Sequence, residues 1–131
     1  MGYRVAVVDD DREIREALRE ALEDAGYEVH VVPNGLKLLS VLSVVRPHVI
    51  LLDVMMSWID GLGLCQALKQ NAQYREIPVV FISARTQPDD VRRGMDAGAV
   101  DYITKPFSLD SLLHRLERIT NTLSAAIQPR H

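Results

Sequence analysis

Five times along this chain a short run rich in β-branched residues is followed by a stretch with helical periodicity, and that alternation limits the fold more than any other property. Tyr3 to Val8 reads as a buried strand, stopped by Asp9-Asp10-Asp11. From Arg12 to Ala25 the apolar Ile14, Ala17, Leu18, Ala21, Leu22 and Ala25 recur at steps of three and four, the stripe of an amphipathic helix that Gly26 ends. Glu28 to Val32 is a second strand, and Pro33-Asn34-Gly35 a turn in which Asn34 caps an apolar helix from Leu36 to Val45, closed before Pro47. His48 to Leu52 is a third strand ending at Asp53, followed by a loop and a helix from Leu62 to Gln70. Val79 to Ile82 is a fourth strand, Pro88 opens a helix running to about Ala97, and Val100 to Thr104 is a fifth strand. Leu109, Leu112, Leu113, Leu116, Ile119, Leu123 and Ile127 make the stripe of a terminal helix capped by Ser108. Nearly all-apolar strands joined by helices imply a parallel sheet covered on both faces, because right-handed crossovers lay each helix over the sheet. The expected class is therefore doubly wound α/β, in one domain over residues 1–127 with 128–131 as a loose tail.

Charge and composition narrow the function classes. The net charge of −3 lacks the basic surplus needed to neutralise phosphates, so direct nucleic-acid binding is not expected. Runs such as Val49-Ile50-Leu51-Leu52 fall far short of the ~20 residues that span a bilayer, and Met1-Gly2-Tyr3-Arg4 does not read as the start of a signal peptide. The single Cys65 permits no internal disulfide and lacks metal-knuckle spacing. It reads as a small packed hydrophobe in a protein of the reducing cytoplasm.

In open α/β sheets ligands bind beyond the carboxyl ends of the strands. Those ends carry Asp9, Asp10 and Asp11 after strand one, Asp53 after strand three, Ser83 after strand four and Lys105 after strand five. Each residue has an ordinary reading: Asp11 as a helix cap, Asp53 as a strand-ending turn residue, Ser83 as a turn hydroxyl. Their common position at strand ends gives the set more weight than its members, and Lys105 is one of only three lysines. Two carboxylates ~4 Å apart repel by roughly 4 kcal/mol at an effective dielectric of 20, so the cluster calls for a counter-ion besides the lysine. Oxygen-only donors suit Mg2+, and with it in place a carboxylate nucleophile with Lys and Ser donors suits a phosphoryl group.

These residues sit in segments that resemble one family. Val7-Val8-Asp9-Asp10-Asp11, Ile50-Leu51-Leu52-Asp53-Val54-Met55-Met56, Ile59-Asp60-Gly61, Phe81-Ile82-Ser83-Ala84 and Ala97-Gly98-Ala99-Val100-Asp101-Tyr102-Ile103-Thr104-Lys105-Pro106-Phe107 are similar, in order and spacing, to the receiver domain of bacterial two-component response regulators. The resemblance runs from Val5 to about Leu123 and implies a flavodoxin-like (βα)5 sheet of strand order 2-1-3-4-5. It implies a signalling switch rather than an enzyme acting on a separate substrate, one that takes part in its own phosphorylation and slow self-dephosphorylation. Asp53 would accept the phosphoryl group from a sensor histidine kinase or phosphotransfer protein. Mg2+, or Mn2+ in its place, would be held by Asp10, Asp53 and the Met55 backbone carbonyl, and by Asp9 through water. Lys105 would pair with the phosphoryl oxygens and Ser83 hydrogen-bond one of them. Ser83 and Tyr102 would form the switch that alters the surface of helix four, strand five and helix five. The resemblance also implies a cis Lys105-Pro106 bond, places Met55 and Arg85 where water access is modulated, and shows Ser57 where the family usually has proline. An output domain after residues 128–131, or a downstream protein, would receive the signal, and a phosphorylation-dependent homodimer belongs to the same picture.

Two other classes are weighed against it. A phosphate-ester hydrolase with an aspartyl nucleophile needs a second carboxylic acid two residues beyond Asp53, where this chain has Met55. A flavodoxin-like cofactor binder needs a Ser/Thr/Gly-rich phosphate loop after strand one, where three aspartates stand. A receiver-like interaction module independent of phosphorylation remains a weaker variant, since every reactive position is filled.

Overall fold

The computed structural model describes residues 2–55 and 60–127, with the backbone alone for 124–127. Met56, Ser57 and Ile59, the side chain of Ile127, and the tail 128–131 lie outside the described residues. In chain order the elements are β1 (Arg4–Val8), α1 (Arg12–Asp24), β2 (Glu28–Val32), α2 (Gly35–Val45), β3 (Val49–Asp53), α3 (Gly61–Gln70), β4 (Val79–Ser83), α4 (Pro88–Asp96), β5 (Asp101–Thr104) and α5 (Leu109–Ile127). The strands form one parallel sheet in the order β2-β1-β3-β4-β5, as the resemblance implied. The chain moves to one side of β1 for β2 and to the other for β3, so a crevice opens at the carboxyl ends of β1 and β3.

Strand alternation divides the core into two layers. Ala6, Val8, Ile50, Leu52, Val79 and Phe81 face one way and pack with Leu38 and Leu42 of α2 and Leu64 and Leu68 of α3. Val5, Val7, Val49, Leu51, Val80 and Ile82 face the other way, against Leu18 and Leu22 of α1 and Leu112 and Leu116 of α5. Cys65 is buried in the first layer, where its thiol meets the Ala97 carbonyl oxygen at 3.4 Å, which agrees with its reading as a packed hydrophobe.

The expected caps form. Asp11 accepts from the Glu13 and Ile14 N–H groups, Asn34 from Lys37 N–H, and Ser108 Oγ from Ser111 N–H. Gly26 has φ +99°, the conformation that ends a helix at least cost to glycine, and Lys105-Pro106 is cis. Several boundaries differ by one residue. His48 lies just outside β3: its N–H still donates to the Arg4 carbonyl oxygen at 2.8 Å, but Arg4 N–H donates to the His48 ring Nδ1. Asp53 and Ser83, read from sequence as lying just past their strands, are their last members, paired with Ile82 and Thr104 respectively. Tyr3 and Val100 fall just outside β1 and β5. The apolar α2 is not covered all round: Leu36, Leu39 and Val44 are exposed.

Gly98 closes α4 with φ +109°, and a Cβ there would stand 2.7 Å from Lys69 Cγ. That lysine cannot easily yield, because its Nζ is bonded to the carbonyls of Ile77 at 2.6 Å and Arg75 at 3.2 Å. Gly98→Ala is expected to lower stability by about 1–3 kcal/mol in urea denaturation, combining backbone strain with displacement of a pinned side chain.

Candidate functional site

At the carboxyl edge of the sheet, β1 and β3 deliver three carboxylates to one place. Oxygens of Asp9, Asp10 and Asp53 all lie within 4.8 Å of one another, Asp9 and Asp53 buried and Asp10 exposed. Lys105, following β5, reaches across β4 to bring Nζ to 3.0 Å from Asp9 Oδ2 and 3.5 Å from Asp53 Oδ2. The other Asp9 oxygen accepts from Asp11 N–H at 2.9 Å, and the other Asp53 oxygen from Met55 N–H at 3.1 Å. Every donor atom of the cluster is oxygen, which fits a hard divalent cation such as Mg2+ and excludes the sulfur-rich sites preferred by softer metals. Asp9, Asp10, Asp53 and Lys105 are thus brought together as the sequence led us to expect. Met55, exposed, is bridged to Asp60. Gly61 explains why Asp60-Gly61 follows: a Cβ at Gly61 would lie 2.5 Å from the Asp53 carbonyl oxygen, so only glycine lets α3 begin against the end of β3.

This packing is electrostatically tense. Burial, and next the charge of Asp9, push the Asp53 carboxyl up to about 6, against the opposing pull of Lys105 and Met55 N–H. Burial pulls the Lys105 ammonium down, but its hydrogen bond to Asp9 and the charges of Asp53 and Asp9 outweigh this and leave it raised. At neutral pH the site therefore holds an ionised Asp53 that is short of compensating charge, a carboxylate disposed to bind a cation or attack an electrophile.

Ser83 lies on the neighbouring strand, buried, with Oγ accepting from Arg85 N–H at 3.0 Å. The Arg85 carbonyl in turn accepts from the Tyr102 hydroxyl at 2.8 Å. Tyr102 is buried, its ring against Phe81 with centroids 6.1 Å apart, so the tyrosine points inward. Sequence reasoning missed two parts of this arrangement. Arg85 links Ser83 to Tyr102 through its backbone, while its Nε donates to Met55 Sδ at 3.0 Å. Gly94 of α4 leaves the space the ring occupies: a Cβ there would meet Tyr102 Cδ2 at 2.7 Å and Phe81 Cδ2 at 3.1 Å. Among the arginines of α4 and α5, Arg92 pairs with Asp89, while Arg115 donates to the Tyr102 carbonyl oxygen at 3.2 Å and approaches Asp101 at 3.5 Å. No motif flags these roles, because each is made by the fold and not by local spacing.

Comparison with known proteins points in one direction. A family model described as the response regulator receiver domain matches residues 5–117. The response regulator MprA of Mycobacterium bovis (strain BCG / Pasteur 1173P2) is 40% identical over 119 residues, covering 91% of this chain and 51% of that protein. The chain thus spans about half the length of the curated relatives it matches. The chemotaxis response regulator CheY4 of Vibrio cholerae superposes with a TM-score of 0.85 at 32% identity, over 91% of this chain and 99% of that one. The BeF3-activated DrrB receiver domain does so with a TM-score of 0.84 at 33% identity, over 92% of this chain and 99% of that one.

Two outcomes follow from the geometry. The folded protein holds the Asp53 proton more tightly than the unfolded chain does, so ionising Asp53 costs stability. Without divalent metal, Asp53→Asn should stabilise the domain by about 1–3 kcal/mol above pH 6. The gain should fade as pH falls from about 6 toward 3.8, the ordinary value, which chemical denaturation across that range checks. Gly94→Ala should drive the Tyr102 ring outward at an overpacking cost of about 1–3 kcal/mol. In fluorotyrosine-labelled protein the Tyr102 resonance, assigned through Tyr102→Phe, is expected to move to a solvent-exposed position.

Proposed function

Because the chain belongs to the receiver domains of response regulators, a family of two-component signalling, we propose that it is a switch charged at Asp53 in a reaction that requires Mg2+ or Mn2+. The observation that carries this reading is the convergence of Asp9, Asp10 and Asp53 around the Lys105 ammonium at one sheet edge. Asp10, Asp53 and the Met55 carbonyl would hold the cation, with Asp9 acting through water; the cation supplies charge neutralisation to the incoming phosphoryl oxygens. An Asp53 oxygen attacks the phosphorus of a phosphohistidine on a sensor kinase or phosphotransfer protein. The P–N bond breaks, its electron pair stays on the imidazole nitrogen, and an acyl phosphate forms. Lys105, already 3.5 Å from Asp53, would take up a phosphoryl oxygen, and Ser83 another.

Arg85 supports a route from chemistry to surface. A phosphoryl group that drew Ser83 Oγ would compete with Arg85 N–H, and the Arg85 carbonyl is what anchors Tyr102 in its inward place. Bias between two packings of Ser83 and Tyr102 would then change the face made by α4, β5 and α5. That face would address an output domain, a downstream protein or a second copy of the chain, with residues 1–127 as the receiver and 128–131 as a tail or linker start. A kinase donor acting in the cytoplasm would put the reaction there; among the described residues no helix is long and apolar enough to cross a membrane. We assign no nucleic-acid contact to this domain. A hydrolase reading is less well supported: two residues past Asp53 stands the Met55 thioether, engaged with Arg85, and not a carboxylic acid.

Acetyl phosphate with Mg2+ should add one phosphoryl group to the wild-type protein and none to Asp53→Asn, as read by intact mass. No adduct on the wild type, or an equal one on the variant, would overturn the assignment.

A further inference from the structure

We infer that Arg15 is a positioning residue of the acidic site, one that fixes the Asp9-Asp10 peptide so that Asp10 faces Asp53. Arg15 lies in α1, half-buried, and its Nη1 donates to the Asp9 carbonyl oxygen at 2.8 Å. The other bonds of Asp9 act elsewhere or only in part. Its N–H bonds to the Val32 carbonyl at 3.3 Å, while its two carboxylate oxygens take Asp11 N–H and Lys105 Nζ. The Val32 bond holds the backbone before Asp9 and the Lys105 bond its side chain; the Asp11 bond closes a turn around the following peptide and restrains it from one side, while Arg15 holds that peptide's carbonyl oxygen itself. The Asp9 oxygen and the Asp10 Cα share the plane of that peptide, so holding the oxygen also sets where Asp10 departs from the strand. Asp10 is exposed, so its course is not set by core packing as that of Asp9 is.

Two simpler roles make opposite demands. As a bare charge, Arg15 would repel a divalent cation, and removing it would tighten metal binding. As a helix brace it would be redundant, because Asp11 caps α1 and the buried Leu18 and Leu22 dock it. Positioning alone requires that loss of the guanidinium weaken metal binding in spite of the relieved repulsion.

The inference rests on the proposed metal site, so the test reads both. Mg2+ affinity is measured by calorimetry for the wild type, Arg15→Met, Arg15→Gln, Arg15→Lys and Arg19→Met. Arg19 is an exposed residue of the same helix, paired with Glu16, and serves as the control. Amide hydrogen exchange at Asp10 and Asp11 is followed in metal-free protein. Arg15→Met is expected to weaken Mg2+ binding about three- to tenfold, the low end for groups that orient metal ligands, and to speed exchange at both amides. Arg15→Lys should recover part of the loss, and Arg19→Met should match the wild type. Should Arg15→Met not fold, Arg15→Gln, uncharged and too short to reach the carbonyl, carries the same expectation. Affinity equal to or tighter than wild type in the uncharged variants, or the same weakening in Arg19→Met, would overturn the inference. A wild type that binds no Mg2+ would overturn the reading of the site instead, and the exchange rates would still decide whether Arg15 holds the peptide.

Discussion

The Lys105 ammonium, 3.0 Å from Asp9 and 3.5 Å from Asp53, is the contact that lets this sheet end in carboxylates. Two buried acids with oxygens within 4.8 Å of each other repel by about 3–4 kcal/mol even at an effective dielectric of 20, a substantial share of the margin by which a domain of this size stays folded. One lysine cannot neutralise three carboxylates. What it does is tie the end of β5 to β3 across β4, and to β1 across β4 and β3, so that the crevice is closed by a charge and not by apolar packing. The residual negative charge faces the opening, where a cation can complete it.

On the proposed reading, the two core layers bear on how a local event at this edge would be felt at a distance. Leu51 and Ile82 in one layer and Leu52 and Phe81 in the other are almost completely buried, leaving the central strands little room to move. A rearrangement would therefore fall to the groups at their ends: the hydroxyl of Ser83, the backbone of Arg85, and the ring of Tyr102 in the space left by Gly94. These form a short chain of hydrogen bonds from Ser83 through Arg85 to Tyr102, built on a tightly packed sheet. A packed core that rearranges between discrete states, rather than deforming continuously, is the physical requirement for a switch.

Strands, helices and most caps were legible because their signals are local: β-branched runs, steps of three and four, Asp11, Asn34 and Ser108 at helix starts. The acidic cluster was legible because the parallel sheet gathers all its carboxyl ends on one edge, so position along the chain translated directly into position in space. Asp53 and Ser83 were displaced by one residue in that reading, since ladder pairing with Ile82 and Thr104 extends each strand past its last apolar side chain. Arg85, Gly94 and Arg15 were not legible. Arg85 acts through its main chain, Gly94 through an absent atom, and Arg15 through a carbonyl six residues back; side-chain chemistry read from sequence encodes none of these.

On the proposed reading, stability and reactivity are opposed at Asp53, and the opposition is what would make the residue useful. A carboxyl raised to about 6 by burial and by Asp9 is ionised at neutral pH at a cost to the fold. Met55 N–H and Lys105 relieve only part of that cost. Had the fold supplied full compensation, with further donors on both oxygens, the carboxylate would be stable, inert and indifferent to a cation. Leaving it under-compensated stores free energy that any group bringing positive charge, or offering an electrophilic centre, can release. The rest of the structure is arranged around that deficit, with Lys105 large enough an offset for folding and too small to quench the site.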